Sequence, residues 1–292
     1  MNEKKLLLGL IGAGIGRSLT PRMHEEEARH HGLRLHYQLI DLDATGATLD
    51  RLPQLIAAAR TMGFAGLNIT YPCKQAVIPL LDELSPEAAA VGAVNTVVFR
   101  AGKAIGYNTD GSGWAWAFRK RLPDAAMNKV VQVGAGGAGA AIADALLRLG
   151  TRELVIVDRE AERARQLAER LNKLHDSGVA RTAAEVADAV DGADGIAHCT
   201  PVGMDKLPGL PFPAELLHPS MWVAEVVYFP LDTALLEAAR ARGCATVDGG
   251  GMAVGQAVDA FRLFTGREPD APRMEAYFRG LIAQRGDASR AT

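Results

Sequence analysis

Residues 131–158 hold a glycine-rich turn that dictates the local fold. A short apolar strand, Val131-Gln132-Val133, feeds Gly134, Gly136 and Gly139, and the helical run after them predicts a helix from about Ala140 to Leu149. A second strand, Leu154–Val157, follows and ends on an acid, Asp158. In a G-x-G-x-x-G each glycine has its own task. Gly134 permits the tight turn, Gly136 carries no side chain to block a pyrophosphate, and Gly139 lets the helix pack close to the strand. The helix start offers free N–H groups and the positive end of its dipole to phosphates. The triplet alone is a weak signal, because a glycine-rich turn can join strand to helix and bind nothing. With strand, helix, strand and acid in register it points to a dinucleotide site, since the empty-turn reading leaves Asp158 without a role.

A second cluster near the start, Gly12-Ala-Gly14-Ile-Gly16, follows the apolar run Leu6–Ile11 and precedes an acid-tipped strand ending at Asp41. Here the third glycine arrives one residue early, and Arg17-Ser18-Leu19-Thr20-Pro21 interrupts any helix. Pro21 suits the first turn of a helix towards His31. Ser18 and Thr20 have two readings: Thr20 as a helix N-cap, or both hydroxyls as hydrogen-bond donors to an oxygen-rich ligand.

Periodicity then lays out an α/β chain. Strands are expected at 6–11, 35–41 and 65–69, with helices at 21–32 and 48–62 between them, and a hairpin at 97–99 and 104–107. A helix from Ser112 to about Arg121 leads into the glycine-rich strand. Beyond Asp158 come helices at 160–173 and 183–190, strands at 195–198 and 222–226, a helix at 232–242 and a strand at 245–247. Tail helices are expected at 252–264 and 272–284, with fraying from Gln284. The 292 residues allow two domains at about 100–200 residues each. A net charge of -2 gives no electrostatic reason to expect nucleic acid or an anionic membrane. No apolar run approaches the roughly 18 residues that span a bilayer, and Met1–Lys5 with its short apolar sequel is too brief for a secretory signal. Three widely spaced cysteines, Cys73, Cys199 and Cys244, suit a reducing compartment and lack zinc-site spacing. The expectation is a cytoplasmic protein that binds no metal and acts on a small molecule.

The second chemical constellation lies in the first hundred residues. Asn68-Ile-Thr70-Tyr-Pro-Cys73-Lys74 leaves a strand and enters a helix, while Asn95-Thr96 and Gly106-Tyr-Asn-Thr-Asp110-Gly sit at strand ends. Ligand crevices in open α/β sheets lie off the carboxyl ends of strands, so Thr70, Lys74, Asn95 and Asp110 are expected to face one cleft. A lysine oriented by an aspartate makes a proton-transfer pair, which oxidation of an alcohol by a nicotinamide requires. Taken singly, Lys74 also fits a solvated lysine. His24, Glu27 and His31 share a helix face, which suggests a solvated surface rather than a metal site. Cys73 lacks the histidine that would make it a nucleophile, and Phe261-Arg-Leu-Phe264 is expected to face the core.

These motifs together resemble the shikimate dehydrogenase family. The resemblance rests on Ser18-Leu-Thr-Pro-Arg-Met-His24, Asn68–Lys74, Gly92-Ala-Val-Asn-Thr96, Gly106–Asp110, Gly134–Gly139, Glu225-Val-Val-Tyr-Phe-Pro230 and Gly251-Met-Ala-Val-Gly-Gln256. It implies two domains: a βαβ-type substrate domain at 1–110, completed by helices from about 255–292, and a Rossmann domain at 111–254. It implies Lys74 and Asp110 as the catalytic pair. Ser18, Thr20, Thr70, Asn95 and Gln256 become partners for a substrate carboxylate and hydroxyls, with Tyr228 nearby. The cofactor would lie on Gly134, Ala135, Gly136, Gly137, Ala138, Gly139, Asp158, Arg159, Thr200, Val202, Gly203, Met204, Val226 and Gly249. The implied reaction is oxidation of quinate or shikimate, in a monomer or homodimer. A paralogue serving an aminoshikimate-type pathway and a catalytically idle dinucleotide sensor are the alternatives.

Three departures from the family pattern carry information. Threonine at position 20, where shikimate-specific members have serine, resembles the quinate/shikimate branch. Asp158-Arg159-Glu160 replaces the family's Asn-Arg-Ser/Thr clamp for NADP, which implies NAD with NADP disfavoured. His198-Cys199 replaces Asn-Ala/Thr, and His198 is expected to be buried and to donate to the loop backbone.

Overall fold

The computed structural model describes residues 5–176 and 178–290. Met1–Lys4, the start of the segment weighed as a signal, lie outside the described residues. The chain divides into two compact units, residues 1–109 with 256–292, and residues 110–255.

The first unit opens with β1 (Lys5–Gly12), α1 (Thr20–His30), β2 (Arg34–Asp41), a short α2 (Leu42–Thr45), α3 (Leu52–Thr61) and β3 (Gly66–Ile69). It continues with α4 (Cys73–Ala76), β4 (Glu83–Leu84), α5 (Pro86–Val91), β5 (Thr96–Arg100) and β6 (Lys103–Tyr107). The sheet order is β2-β1-β3-β5-β6-β4. β1, β2 and β3 are parallel, whereas β5 runs antiparallel to β3 and β6, so the expected hairpin extends a mixed sheet. The helix expected over 48–62 begins at Leu52, after a 3-10 turn at Leu49–Arg51, with a proline in its first turn. β1 and β3 are buried on both faces, with Ile11, Leu67 and Ile69 in one core with Leu52 and Ile56, and Leu8 and Leu10 in another with Phe264.

The second unit begins with α6 (Asp110–Arg121), β7 (Lys129–Val133), α7 (Gly137–Arg148), β8 (Glu153–Val157), α8 (Ala161–Leu174) and β9 (Ala180–Thr182). β10 (Gly195–His198), β11 (Trp222–Glu225), α9 (Ala234–Ala241) and β12 (Ala245–Val247) complete a fully parallel sheet of order β12-β11-β10-β7-β8-β9. This is the Rossmann arrangement, with the order reversing between β7 and β10. The central strands β7, β8, β10 and β11 are buried on both faces, and Val131, Val133, Val155, Ile196 and Val223 share one core.

The helix expected at 183–190 is only a 3-10 turn, Val186–Asp188, opened by a capping box in which Glu185 and Asp188 exchange side-chain bonds with each other's backbone. α10 (Gly249–Thr265) starts three residues earlier than expected, where Asp248 accepts the Gly250 N–H at 2.9 Å, and it carries the chain back to the first unit. There Phe261 and Phe264 are buried, as their stripe required. α11 (Ala271–Arg290) runs to the end of the described residues, so the fraying expected from Gln284 is absent as far as Arg290, and Ala291 and Thr292 lie outside the described residues.

Candidate active site

In the first unit the polar residues gather at one sheet edge by register. Asn68 on β3 pairs with Thr96 on β5, and Thr96 pairs with Tyr107 on β6. The edge where β1 and β3 end therefore also holds the start of β5 and the end of β6. Thr70, Asn95 and Thr109 leave from it, as does the loop from Gly12 to Thr20.

A buried chain of hydrogen bonds stiffens this edge. Tyr37 donates to Asn68 Oδ1 (2.7 Å), Asn68 Nδ2 donates to Thr96 Oγ1 (3.0 Å), and Thr96 donates to Asn95 Oδ1 (3.0 Å). Asn95 Oδ1 also accepts the Thr109 N–H (2.8 Å), and its amide donates to Thr109 Oγ1 (2.9 Å). Leaving such groups unpaired would cost roughly 1–3 kcal/mol each, so the chain holds as a unit. Asn95 is thus committed to ordering the edge, a role that its place in a motif did not disclose. Backbone ties reach the lysine too: Val94 N–H donates to the Lys74 carbonyl (2.8 Å) and Ile69 N–H to the Asn95 carbonyl (2.7 Å). Lys74 itself is half-buried in α4. Thr109 Oγ1 donates to the Gln256 carbonyl (3.1 Å), which anchors α10 to the same edge. Asp110, the next residue, is buried and opens α6 of the second unit.

The Thr20 reading as an N-cap is not realised. Leu19 holds the cap position, and no side chain caps the helix. Instead the Ser18 hydroxyl donates to Thr20 Oγ1 (3.0 Å), and the Thr20 N–H donates to Ser18 Oγ (3.3 Å). Thr20 Oγ1 thus accepts from Ser18 and keeps its own hydrogen to donate elsewhere.

The helix face of His24, Glu27 and His31 is not solvated, contrary to expectation. His24 is fully buried and stacks on Tyr37 and Phe261, with burial pushing its pKa down to about 3, so it is a neutral core ring. Glu27 accepts from Arg273 (2.6 and 3.0 Å), the Asp270 N–H (2.9 Å) and His31 (3.0 Å), clasping α1 to α11. Burial pushes the Cys73 thiol up to about 11, which removes it as a nucleophile at neutral pH.

In the second unit the glycine turn has the geometry that a dinucleotide needs. Gly134 has φ of 106°, and a Cβ there would sit 2.8 Å from Thr200 Cγ2. A Cβ at Gly139 would sit 2.2 Å from the Gly134 carbonyl oxygen, so α7 closes directly on the strand. Gly136 differs: its backbone is extended, and a Cβ would meet nothing within 4 Å. The polypeptide does not itself require glycine there, and the open space lies over the N-terminus of α7, which no side chain caps. That is the fit a pyrophosphate demands. Gly137, Ala138, Gly139 and Ala140 follow in α7, and Gly249 approaches the Val226 carbonyl, where a Cβ would lie 2.5 Å away. Gly203 has φ of 98°, Val202 donates its N–H to Thr200 Oγ1 (3.3 Å), and Met204 is partly exposed. Tyr228 packs at a tilt of 48° against Phe229 just beyond β11.

Asp158 stands at the tip of β8. Its Oδ2 accepts the Ala135 N–H (2.7 Å) and its Oδ1 the Glu160 N–H (2.9 Å), which fixes the carboxylate beside the turn. Two of its roughly four lone-pair sites are then left for other donors. Glu160 pairs with Arg163 (2.9 Å), not with Arg159. Arg159 is exposed and makes no hydrogen bond or ion pair among the described residues.

His198 corrects another expectation. It is buried, but its partners are side chains: Nδ1 meets both Glu225 oxygens (2.8 and 3.0 Å) and Nε2 meets Thr200 Oγ1 (2.5 Å). Sequence reading singled out His198 as a departure but not Glu225 as its partner, since a contact 27 positions away leaves no local signature.

Three family models match the chain. They are described as the shikimate dehydrogenase substrate binding domain at residues 10–97, shikimate / quinate 5-dehydrogenase at 117–201, and the shikimate 5'-dehydrogenase C-terminal domain at 249–276. A shikimate dehydrogenase (NADP(+)) of Streptomyces avermitilis is 58% identical over 278 residues, 94% of this chain and 96% of that one. A quinate/shikimate dehydrogenase (NAD(+)) of Corynebacterium efficiens is 49% identical over 288 residues, 96% of this chain and 100% of that one. Among solved structures, quinate dehydrogenase from Corynebacterium glutamicum in complex with NAD aligns with a TM-score of 0.88 at 46% identity, covering 95% of this chain and 100% of that one.

Proposed function

The chain belongs to the shikimate dehydrogenase family, and on that premise we propose that it oxidises quinate and shikimate to their 3-dehydro acids with NAD. It is an oxidoreductase of the shikimate/quinate type that uses a nicotinamide dinucleotide. Lys74 and Asp110 are the acid–base pair of this reading, Lys74 taking the hydroxyl proton and Asp110 orienting the ammonium. NAD, when bound, supplies the ring that accepts the hydride from carbon. The observation that carries the reading is the single ordered edge from which Ser18, Thr20, Thr70, Lys74 and Asn95 all depart, with Asp110 bonded in sequence to Thr109 on that same edge. Ser18 and Thr20 offer paired hydroxyls to a carboxylate, Thr70 and Gln256 serve the ring hydroxyls, and Tyr228 is the further substrate residue of this reading.

Cofactor choice rests on Asp158. A 2′-phosphate would meet a fixed carboxylate, and at about 4 Å with an effective dielectric near 20 each unit-charge repulsion costs on the order of 4 kcal/mol before screening. The exposed Arg159 pulls the other way, since a guanidinium clamps phosphate well. An acid held by two backbone N–H groups outweighs an arginine on a free stem, which leaves NAD preferred.

Lys74→Ala tests the chemistry. It should bind NADH normally and turn over quinate roughly 10²–10⁴-fold more slowly, the usual worth of a positioned acid–base group. Asp110→Asn should do comparable damage, and the double variant should add little because the two act as a unit. Near-normal kcat in Lys74→Ala would refute the assignment, and inactivity of the wild type on quinate would favour a specialised substrate.

A further inference from the structure

The buried pair His198–Glu225 lies where the second sheet reverses its strand order. His198 and Glu225 are register partners at the carboxyl ends of β10 and β11, and His198 also pairs with Val133, the residue before the glycine turn. Both side chains are fully buried. Glu225 is crowded with donors: Val226 N–H (2.8 Å) and Val227 N–H (3.0 Å) on Oε1, and the Thr233 hydroxyl (3.1 Å) on Oε2. A carboxylate so placed only accepts, so Nδ1 is the ring nitrogen that carries hydrogen. Nε2 hydrogen-bonds the Thr200 hydroxyl (2.5 Å), while Thr200 Oγ1 accepts the Val202 N–H (3.3 Å). That fixes the Thr200 rotamer. Its hydroxyl turns inward to His198 and its methyl rests over Gly134, 2.8 Å from where a Cβ would lie.

We propose that His198, oriented by Glu225, is a positioning residue that locks Thr200 and the loop to Met204 against the glycine turn, and so shapes the floor on which the dinucleotide lies. The inference rests on the cofactor reading above. Burying an imidazole and a carboxylate is expensive, and the bonds that hold Glu225 and His198 lead to one threonine hydroxyl. The polar group that emerges from this network nearest the turn is Thr200, not His198.

Asparagine and glutamine dissect the imidazole, because the asparagine amide falls near Nδ1 and the glutamine amide near Nε2. His198→Asn keeps the Glu225 bond and loses Thr200; Thr200→Val keeps the shape and loses the hydroxyl. Each should weaken NADH binding about tenfold, the scale of one buried hydrogen bond, and His198→Asn should leave the KM for quinate unchanged. His198→Gln, which reaches Thr200, should recover most of the affinity. The His198→Asn/Thr200→Val double variant should also stay near tenfold, since both break one contact. NADH titration by fluorescence, with thermal melts run alongside, reads all four. Lower melting temperatures with NADH affinity within twofold of wild type would make the pair purely structural and overturn the proposal, as would a double variant near a hundredfold. If His198→Asn does not fold, Thr200→Val decides alone, and unchanged affinity overturns it. A wild type that binds no NADH would defeat the cofactor reading itself, a result that these variants cannot mimic.

Discussion

The two glycine-rich turns of this protein are built from nearly the same parts and end differently. Each follows a strand of a parallel set, and each lies beside a neighbouring strand that ends on an aspartate. At the first turn Asp41 spends its carboxylate inward: Oδ1 accepts the Gly14 N–H (2.9 Å) and the Asp43 N–H (3.1 Å), and Oδ2 the Gly16 N–H (3.0 Å). The protein's own acid fills the nest of N–H groups there, and the chain needs seven residues after Gly12 before a helix begins. At the second turn Asp158 takes one N–H of the turn, and a helix starts at Gly137 with its first amides uncapped and open space over Gly136. An anion site is thus made by what a glycine loop leaves unpaired, and the number of glycines says little about it.

Substitutions at the glycines separate the turns most forcefully. A Cβ at Gly12 would sit 2.3 Å from Thr70 Cγ2, and one at Gly139 would sit 2.2 Å from a backbone oxygen. Gly12→Ala and Gly139→Ala should each cost about 3 kcal/mol in urea melts, the upper range for forced overpacking. A loss under about 0.5 kcal/mol at both would deny that either turn is close-packed. Gly136→Val should behave in the opposite way, melting like the wild type while binding NADH about a hundredfold more weakly, because the side chain occupies the phosphate approach. Normal affinity in that variant would move the dinucleotide away from this turn.

Charge changes are gentler. Asp158→Asn keeps an oxygen for the Ala135 N–H and removes the repulsion, so the ratio of NADP to NAD use should rise about tenfold. Asp41→Asn should leave cofactor kinetics untouched and cost about 1 kcal/mol of stability through one weakened acceptor. A change in NADH affinity from Asp41→Asn would show that the first turn is not the closed structure described here.

Much of this contrast was legible in the sequence, because it depends on local spacing. One residue too few between glycines, and Pro21 placed after Ser18 and Thr20, already denied the first turn a helix start. The apolar runs of β1, β3, β7, β8 and β10 announced both sheets for the same reason. Other features depend on distant partners and left no such mark. β4 and β9 have two and three residues, and β9 pairs with only a single neighbour, so neither shows an alternation to read. The stretch 183–190 looks helical by composition, but it forms a single 3-10 turn, Val186–Asp188, which the reciprocal bonds of Glu185 and Asp188 open. Burial of His24 and Glu27 required Phe261 and Arg273, more than 200 residues away, which turned an apparently wet face into a core stack and a clasp.

Initial rates of wild-type enzyme with quinate and with shikimate, each measured with NAD and with NADP, test the central claim most directly. The fixed Asp158 carboxylate predicts a kcat/KM favouring NAD by about tenfold or more with either acid, after allowance for screening. Equal use of the two cofactors, or a preference for NADP, would contradict that prediction and give the decisive role to Arg159.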